Sequence, residues 1–172
     1  GLRLAAASDR AVHLYALSNG KRLTSFYVDG DSIIRSFSIS PDGQHIAVAS
    51  LDGTISIRSL QKHQSFTTVS AGSGFSRSYI RWSPSSKSLL IANSNTIKIW
   101  SNKSKKVTLE VPFSGLPEDV SFIGELPHLI ATQNQILRFN VKLAIANRKM
   151  DLFSTIIQLP QDGNRSVELA SN

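Results

Sequence analysis

The stretch Ser36–Leu60, SFSISPDGQHIAVASLDGTISIRSL, reads as three short β-strands joined by two tight turns. Pro41-Asp42-Gly43 and Leu51-Asp52-Gly53 hold the proline, aspartate and glycine that tight turns require. The runs around them are β-branched and apolar, the signature of strands. They predict strand a at Ile33–Ser40, strand b at His45–Ser50 and strand c at Thr54–Leu60, with a fourth, d, at Ser65–Val69. A lone sheet of this kind cannot bury both of its apolar faces and needs neighbours to cover them.

The neighbours are in the chain. The b–c turn recurs at Asp9, Asp52, Ser94 and Gln133, at intervals of 43, 42 and 39 residues. That is the period of a four-stranded propeller blade. The third unit places its strands at Tyr79–Ser83, Ser88–Ala92, Thr96–Trp100 and Val107–Val111. The fourth places them at Asp119–Ile123, His128–Thr132, Gln135–Val141 and Phe153–Leu159. The chain opens in mid-unit, with strands at Leu2–Ala7, Ala11–Leu17 and Leu23–Val28. The expected fold is all-β, a partial β-propeller of four-stranded antiparallel blades. A propeller segment covers residues 1–159, with a partial blade at 1–28 and blades at 32–69, 78–111 and 119–159, and residues 160–172 form a polar tail. Val141–Met150 has a helical competitor in its apolar spacing, and extended or irregular structure is the preferred reading there.

Three runs carry a family resemblance: Ser40-Pro41-Asp42-Gly43, Leu51-Asp52-Gly53-Thr54-Ile55 and Ile97-Lys98-Ile99-Trp100. On these the chain resembles the WD-repeat β-propellers, as a divergent member. The glycine–histidine pair that such repeats carry before strand a is missing from every unit. Their tryptophan position reads Tyr15, Arg58, Trp100 and Phe139, and the aspartate after it reads Ala16, Ser59, Ser101 and Asn140. The turn aspartate survives as Asp9 and Asp52. The family's Ser–His–Asp–Trp hydrogen-bond network is therefore incomplete in each unit, and apolar packing between sheets must replace it. Three full units and a remnant without strand a fall short of a usual ring. The expectation is a piece of a longer chain, with a partner chain completing the ring as the alternative, and an isolated segment that self-associates through its open edge.

Composition narrows the functions. There are no cysteines among the 172 residues, which removes disulfides, thiol nucleophiles and thiolate metal sites. No apolar run approaches a membrane span and no signal peptide is visible, so an intracellular protein, nuclear or cytoplasmic, is expected. His13, His45, His63 and His128 stand in no metal-ligand spacing, and Gly72-Ser73-Gly74 has no phosphate-binding lysine. Glu118–Asp119 reads as a solvated loop before strand a. No catalytic residue, metal or cofactor is expected, and the protein is not read as an enzyme. Arg58 requires exposure at a rim or a partner, and Arg35 and Arg81 suit packing or ion pairs near the channel.

Charge is the remaining signal. The formal net charge is +7, which favours anionic partners. Strand order sends the a–b and c–d turns to one face and the other turns to the opposite face. The first face receives Lys21, Arg22, Lys62, Lys87, Lys103, Lys105, Lys106, Lys142, Arg148 and Lys149, against Asp42 and Glu125. The second receives Asp9, Asp29, Asp31, Asp52, Glu118 and Asp119, against Arg10 and Arg77. The first is the candidate partner-docking face. With no aromatics among these lysines, nucleic acid would be held by its phosphates and not by base stacking. The leading expectation is a non-catalytic scaffold that binds other protein subunits in a larger assembly. A ribonucleoprotein subunit that docks RNA or another polyanion is the alternative. A phosphoinositide-binding propeller is a third, against which the missing Phe-Arg-Arg-Gly run counts.

Overall fold

A computed structural model of the chain describes residues 3–28, 32–61, 66–71, 78–124, 126–132, 135–139 and 153–158. The helical competitor at Val141–Met150, the tail at 160–172, the turn at Gln133, the glycines Gly72 and Gly74, and His63 lie outside them. Among the described residues every regular element is a strand, and no helix is long and apolar enough to cross a membrane.

The strands form four antiparallel sheets. The first has three strands, β1 (Arg3–Ala7), β2 (Ala11–Ala16) and β3 (Arg22–Tyr27). The second runs β4 (Ile34–Ile39), β5 (His45–Ser50), β6 (Thr54–Ser59) and β7 (Phe66–Ser70), each hydrogen-bonded to the next. The third repeats this with β8 (Tyr79–Trp82), β9 (Ser88–Ala92), β10 (Thr96–Ser101) and β11 (Lys106–Pro112). The fourth comprises β12 (Pro117–Ile123), β13 (Leu126–Thr132), β14 (Gln135–Phe139) and β15 (Phe153–Gln158). This is the partial propeller of four-stranded blades that the repeat implies.

The core lies between sheets, because side chains alternate across a strand. On β5, Ile46 and Val48 face the first sheet and pack with Val12, Leu14 and Phe26. Ala47 and Ala49, on the same strand, face the third sheet and pack with Trp82, Leu89 and Trp100. Two methyl groups leave the room that two indoles fill, so volume is balanced across the seam. On β9, Leu89 and Ile91 point back to that seam while Leu90 and Ala92 point on to Val120, Phe122 and Phe139 of the fourth sheet. Trp100 and Ile99 likewise turn to opposite seams.

Polar ties accompany this packing, more than apolar replacement of the lost network implies. Trp82 donates its backbone N–H to the Ser38 hydroxyl at 3.3 Å and its indole N–H to the Ser38 carbonyl at 3.2 Å. Lys98, buried on β10, reaches the Ser70 carbonyl at 3.1 Å and Glu110 at 3.2 Å. The a–b turns depend on left-handed residues, Gly43 at φ +67° and, at the equivalent place in the third sheet, Ser86 at +63°. A serine there carries a steric cost that glycine avoids. Its hydroxyl accepts the Asp42 N–H at 3.0 Å and its carbonyl accepts from Asn102 at 3.2 Å, so the strained turn also bridges two sheets.

Candidate interaction face

Hydrogen bonds between turns show which turns share an end. The a–b and c–d turns meet through Leu60 N–H to the Gln44 carbonyl in the second sheet and Asn102 N–H to the Lys87 carbonyl in the third. At the opposite end, the b–c turns meet the segments that enter or leave each sheet, through Ile34 to Asp9, Ala71 to Gly53 and Phe113 to Asn95. Lys21, Arg22, Lys87, Lys103, Lys105 and Lys106 are exposed in turns or strand ends at the first end. Lys62, Lys142, Arg148 and Lys149 lie outside the described residues, as do Asp29, Asp31, Arg77 and Glu125. Asp9, Asp52 and Arg10 are exposed at the other end.

One expectation is overturned. Glu118 and Asp119 do not sit in a solvated loop, because β12 begins at Pro117 and takes both into the strand. Asp119 is 8% exposed and its carboxylate accepts from Arg81 Nη2 at 2.9 Å. The register shift between Pro117 and Asp119 lets the strand start early despite two adjacent acids. An ion pair between the inner strands β8 and β12 removes Asp119 from the acidic face. Arg81 also donates Nε–H to the Val120 carbonyl at 3.2 Å, so its guanidinium is held by two anchors. Arg35 is exposed and Arg58 half-buried.

Between the second and third sheets, the basic end carries a ladder of rings. His45 lies 5.8 Å from Trp82, Trp82 lies 6.0 Å edge-on from Trp100, and Lys105 Nζ sits 5.4 Å over the Trp100 ring. Burial lowers the His45 pKa below its usual 6.5, the Lys105 charge lowers it further, and Asp42 opposes both. Burial raises the Asp42 pKa, yet the Ser40 hydroxyl and Gln44 N–H bonds more than offset this and leave it below 3.8. Asp42 therefore stays charged near neutrality.

His45 has a consequence for stability. Its folded pKa is depressed, so below pH 6.5 the unfolded chain takes up the proton first and stability falls as pH falls. Thermal melting from pH 7.5 to 5 is expected to show a decline in wild type that His45→Gln largely removes. Parallel declines in the two proteins would assign the effect elsewhere; Asp42 titrates below this window.

A cavity of about 600 Å³ opens along the inner strands of three sheets. Phe37 and Ile39 of β4, Arg81 and Trp82 of β8 and Phe122 of β12 line it, with Pro41 and Pro84 at its rim. Both prolines belong to a–b turns, so the cavity opens toward the basic end.

One residue escaped the sequence reading. The b–c turn of the third sheet, placed at Ser94, is organised by its neighbour Asn93. The buried Asn93 carboxamide accepts from Asn95 N–H at 2.9 Å and Thr96 N–H at 2.8 Å, and donates to the Ala71 carbonyl at 2.7 Å. An asparagine one place before the aligned turn residue was the available signal.

Residues 20–59 match the family described as WD domain, G-beta repeat. The match runs from the turn before β3 to the end of β6, so one repeat takes its outer strand from the first sheet and three strands from the second. No curated protein sequence matches the chain. A solved structure described as "Structure of U3-55K" is similar, at 15% identity and a TM-score of 0.66. The similarity covers 83% of this chain and 46% of that one, so the chain spans less than half of its length.

Proposed function

We propose that this chain, which carries a WD repeat and has the WD-repeat β-propeller fold, is a non-catalytic scaffold that docks an anionic partner on its basic end. The observation that carries the reading is the grouping of Lys21, Arg22, Lys87, Lys103, Lys105 and Lys106 in exposed turns at one end, with the acids Asp9 and Asp52 at the other. Sheets locked by two-sided seams hold these turns rigidly, and rigid presentation lowers the entropy lost on binding. Such a face suits subunits of a larger intracellular assembly, in the nucleus or the cytoplasm.

Heparin retention tests this. Lys105 is left alone, because it covers Trp100. Lys87, Lys103 and Lys106, changed together to Gln, are expected to weaken retention sharply at about 0.05 M salt, and wild-type retention itself to fade by about 0.2 M. A charge-matched control, Arg10, Arg35 and Arg138 to Gln, should retain far more. Melting temperatures should stay close to wild type, since exposed turn positions cost under about 0.5 kcal/mol. Equal retention by the lysine variant and wild type overturns the reading.

A further inference from the structure

The c–d turn of the third sheet, Ser101-Asn102-Lys103-Ser104-Lys105-Lys106, joins β10 to β11 at the basic end. Its backbone matches that of its counterpart in the first sheet. Lys105 N–H bonds to the Ser101 carbonyl at 2.9 Å, as Gly20 N–H bonds to the Ala16 carbonyl at 2.9 Å. The residue that closes each turn is left-handed, Gly20 at φ +66° and Lys105 at +57°. Glycine adopts that conformation freely and lysine does not. The strained Lys105 sets its ammonium over Trp100 and on Asn102 Oδ1. Ser104, just before it, stands where the first sheet has Asn19. The Asn19 carboxamide is used within its own turn, accepting the Lys21 N–H at 3.0 Å. Ser104 is exposed, and its N–H is held by the Ser101 hydroxyl at 3.3 Å. Its own hydroxyl has no hydrogen-bond partner among the described residues. Lys103, Lys105 and Lys106, all exposed, flank that hydroxyl on both sides.

We infer that Ser104 is a phosphoacceptor for a protein kinase with an acidic substrate groove, and that its phosphoryl group switches off the basic end. The inference rests on the basic end being a docking face and supplies its regulation. In the transfer, Ser104 Oγ attacks the γ-phosphorus of a nucleoside triphosphate. An O–P bond forms, the bond to the β–γ bridging oxygen breaks, and the nucleoside diphosphate leaves with that electron pair. The hydroxyl proton passes to the kinase's carboxylate base. Positive charge directly before and after the hydroxyl complements an acidic groove. The segment must also extend into that groove. β11 is the outer strand of its sheet, and Lys106, Val107 and Thr108 are exposed. An edge with few buried contacts opens locally at low cost. Asn102 stays anchored to the Lys87 and Ser86 carbonyls, so opening from Ser104 onward spares the seam. Other hydroxyls at this end are worse placed. Ser40, Ser83 and Ser86 are buried. Ser18 is exposed, but its nearest basic residue, Lys21, lies three positions away. Phosphoserine carries about −1.5 to −2 charges near neutrality, which cancels most of the charge of the three lysines on this turn.

The first test incubates the chain with ATP and the catalytic domain of protein kinase C and locates phosphate by mass spectrometry. Phosphate is expected on Ser104 and is expected to be lost in Ser104→Ala. Its absence from Ser104, or uptake undiminished by the substitution, overturns the site. The second test bypasses the kinase by incorporating phosphoserine at 104 during synthesis. The charge-matched control carries phosphoserine at 114, an exposed position beside Phe113 at the opposite end. At about 0.05 M salt the 104 form is expected to bind heparin roughly tenfold more weakly than the 114 form. Equal binding by the two forms overturns the switch. The lysine-to-glutamine variant keeps the two failures apart. Wild-type retention by that variant strikes the docking face itself, whereas agreement of the 104 and 114 forms alone leaves the face standing and removes the switch.

Discussion

Replacement of Trp100 by alanine is expected to lower the unfolding free energy by about 3–5 kcal/mol, the range for removing a large buried aromatic. Trp100 is 0% exposed and packs in the seam with Trp82, Leu89, Ala47 and Ala49. The seam relaxes poorly, because the facing residues are alanines whose methyls cannot reach into the void. Lys105 also loses the ring beneath its ammonium. Trp100→Phe should cost much less. The indole N–H has no hydrogen-bond partner among the described residues, so phenylalanine forfeits no bond and keeps most of the ring. Urea denaturation of the three proteins decides the matter. Equal losses for Ala and Phe would mean that the seam requires the full indole shape and gains nothing from a smaller ring. Wild-type stability for the alanine variant would put the strand register in error.

Asn93→Ala should cost about 2–4 kcal/mol, because it removes three hydrogen bonds of one buried side chain at once. The Asn95 and Thr96 N–H donors lose their acceptor, and the Ala71 carbonyl is left with the Thr96 hydroxyl at 3.5 Å. Asn93→Asp separates the roles. An aspartate can still accept the two N–H bonds of the turn but cannot donate to Ala71 across the seam. Its loss should be at least as large as that of alanine, because it buries a carboxylate against the Ala71 carbonyl. Ser94→Ala, one residue away, should change stability by under about 0.5 kcal/mol. A larger effect at Ser94 than at Asn93 would show that the turn is organised as its alignment suggested.

Both positions show where local reading stops. The period of about forty residues, the Pro-Asp-Gly and Leu-Asp-Gly turns and the apolar alternation are properties of neighbouring residues. They sufficed for strands such as β5 and β9. The meeting of a–b with c–d turns, as at Leu60 with Gln44 and Asn102 with Lys87, also needed only strand order, since antiparallel strands return each turn to a fixed end. Partners across a seam come from residues dozens of positions apart, and no local pattern encodes them. Asp119 looked like a solvated acid until β12 laid it beside Arg81, 38 residues earlier. The Ser86 hydroxyl accepts from Asp42 of the neighbouring sheet, 44 positions earlier. The strand and turn pattern was determined by the sequence alone, because backbone sterics and the two-residue side-chain period act over a few residues. The Arg81–Asp119 pair, the indole seam and the cavity were decided by tertiary packing, because each exists only where separate sheets come into contact.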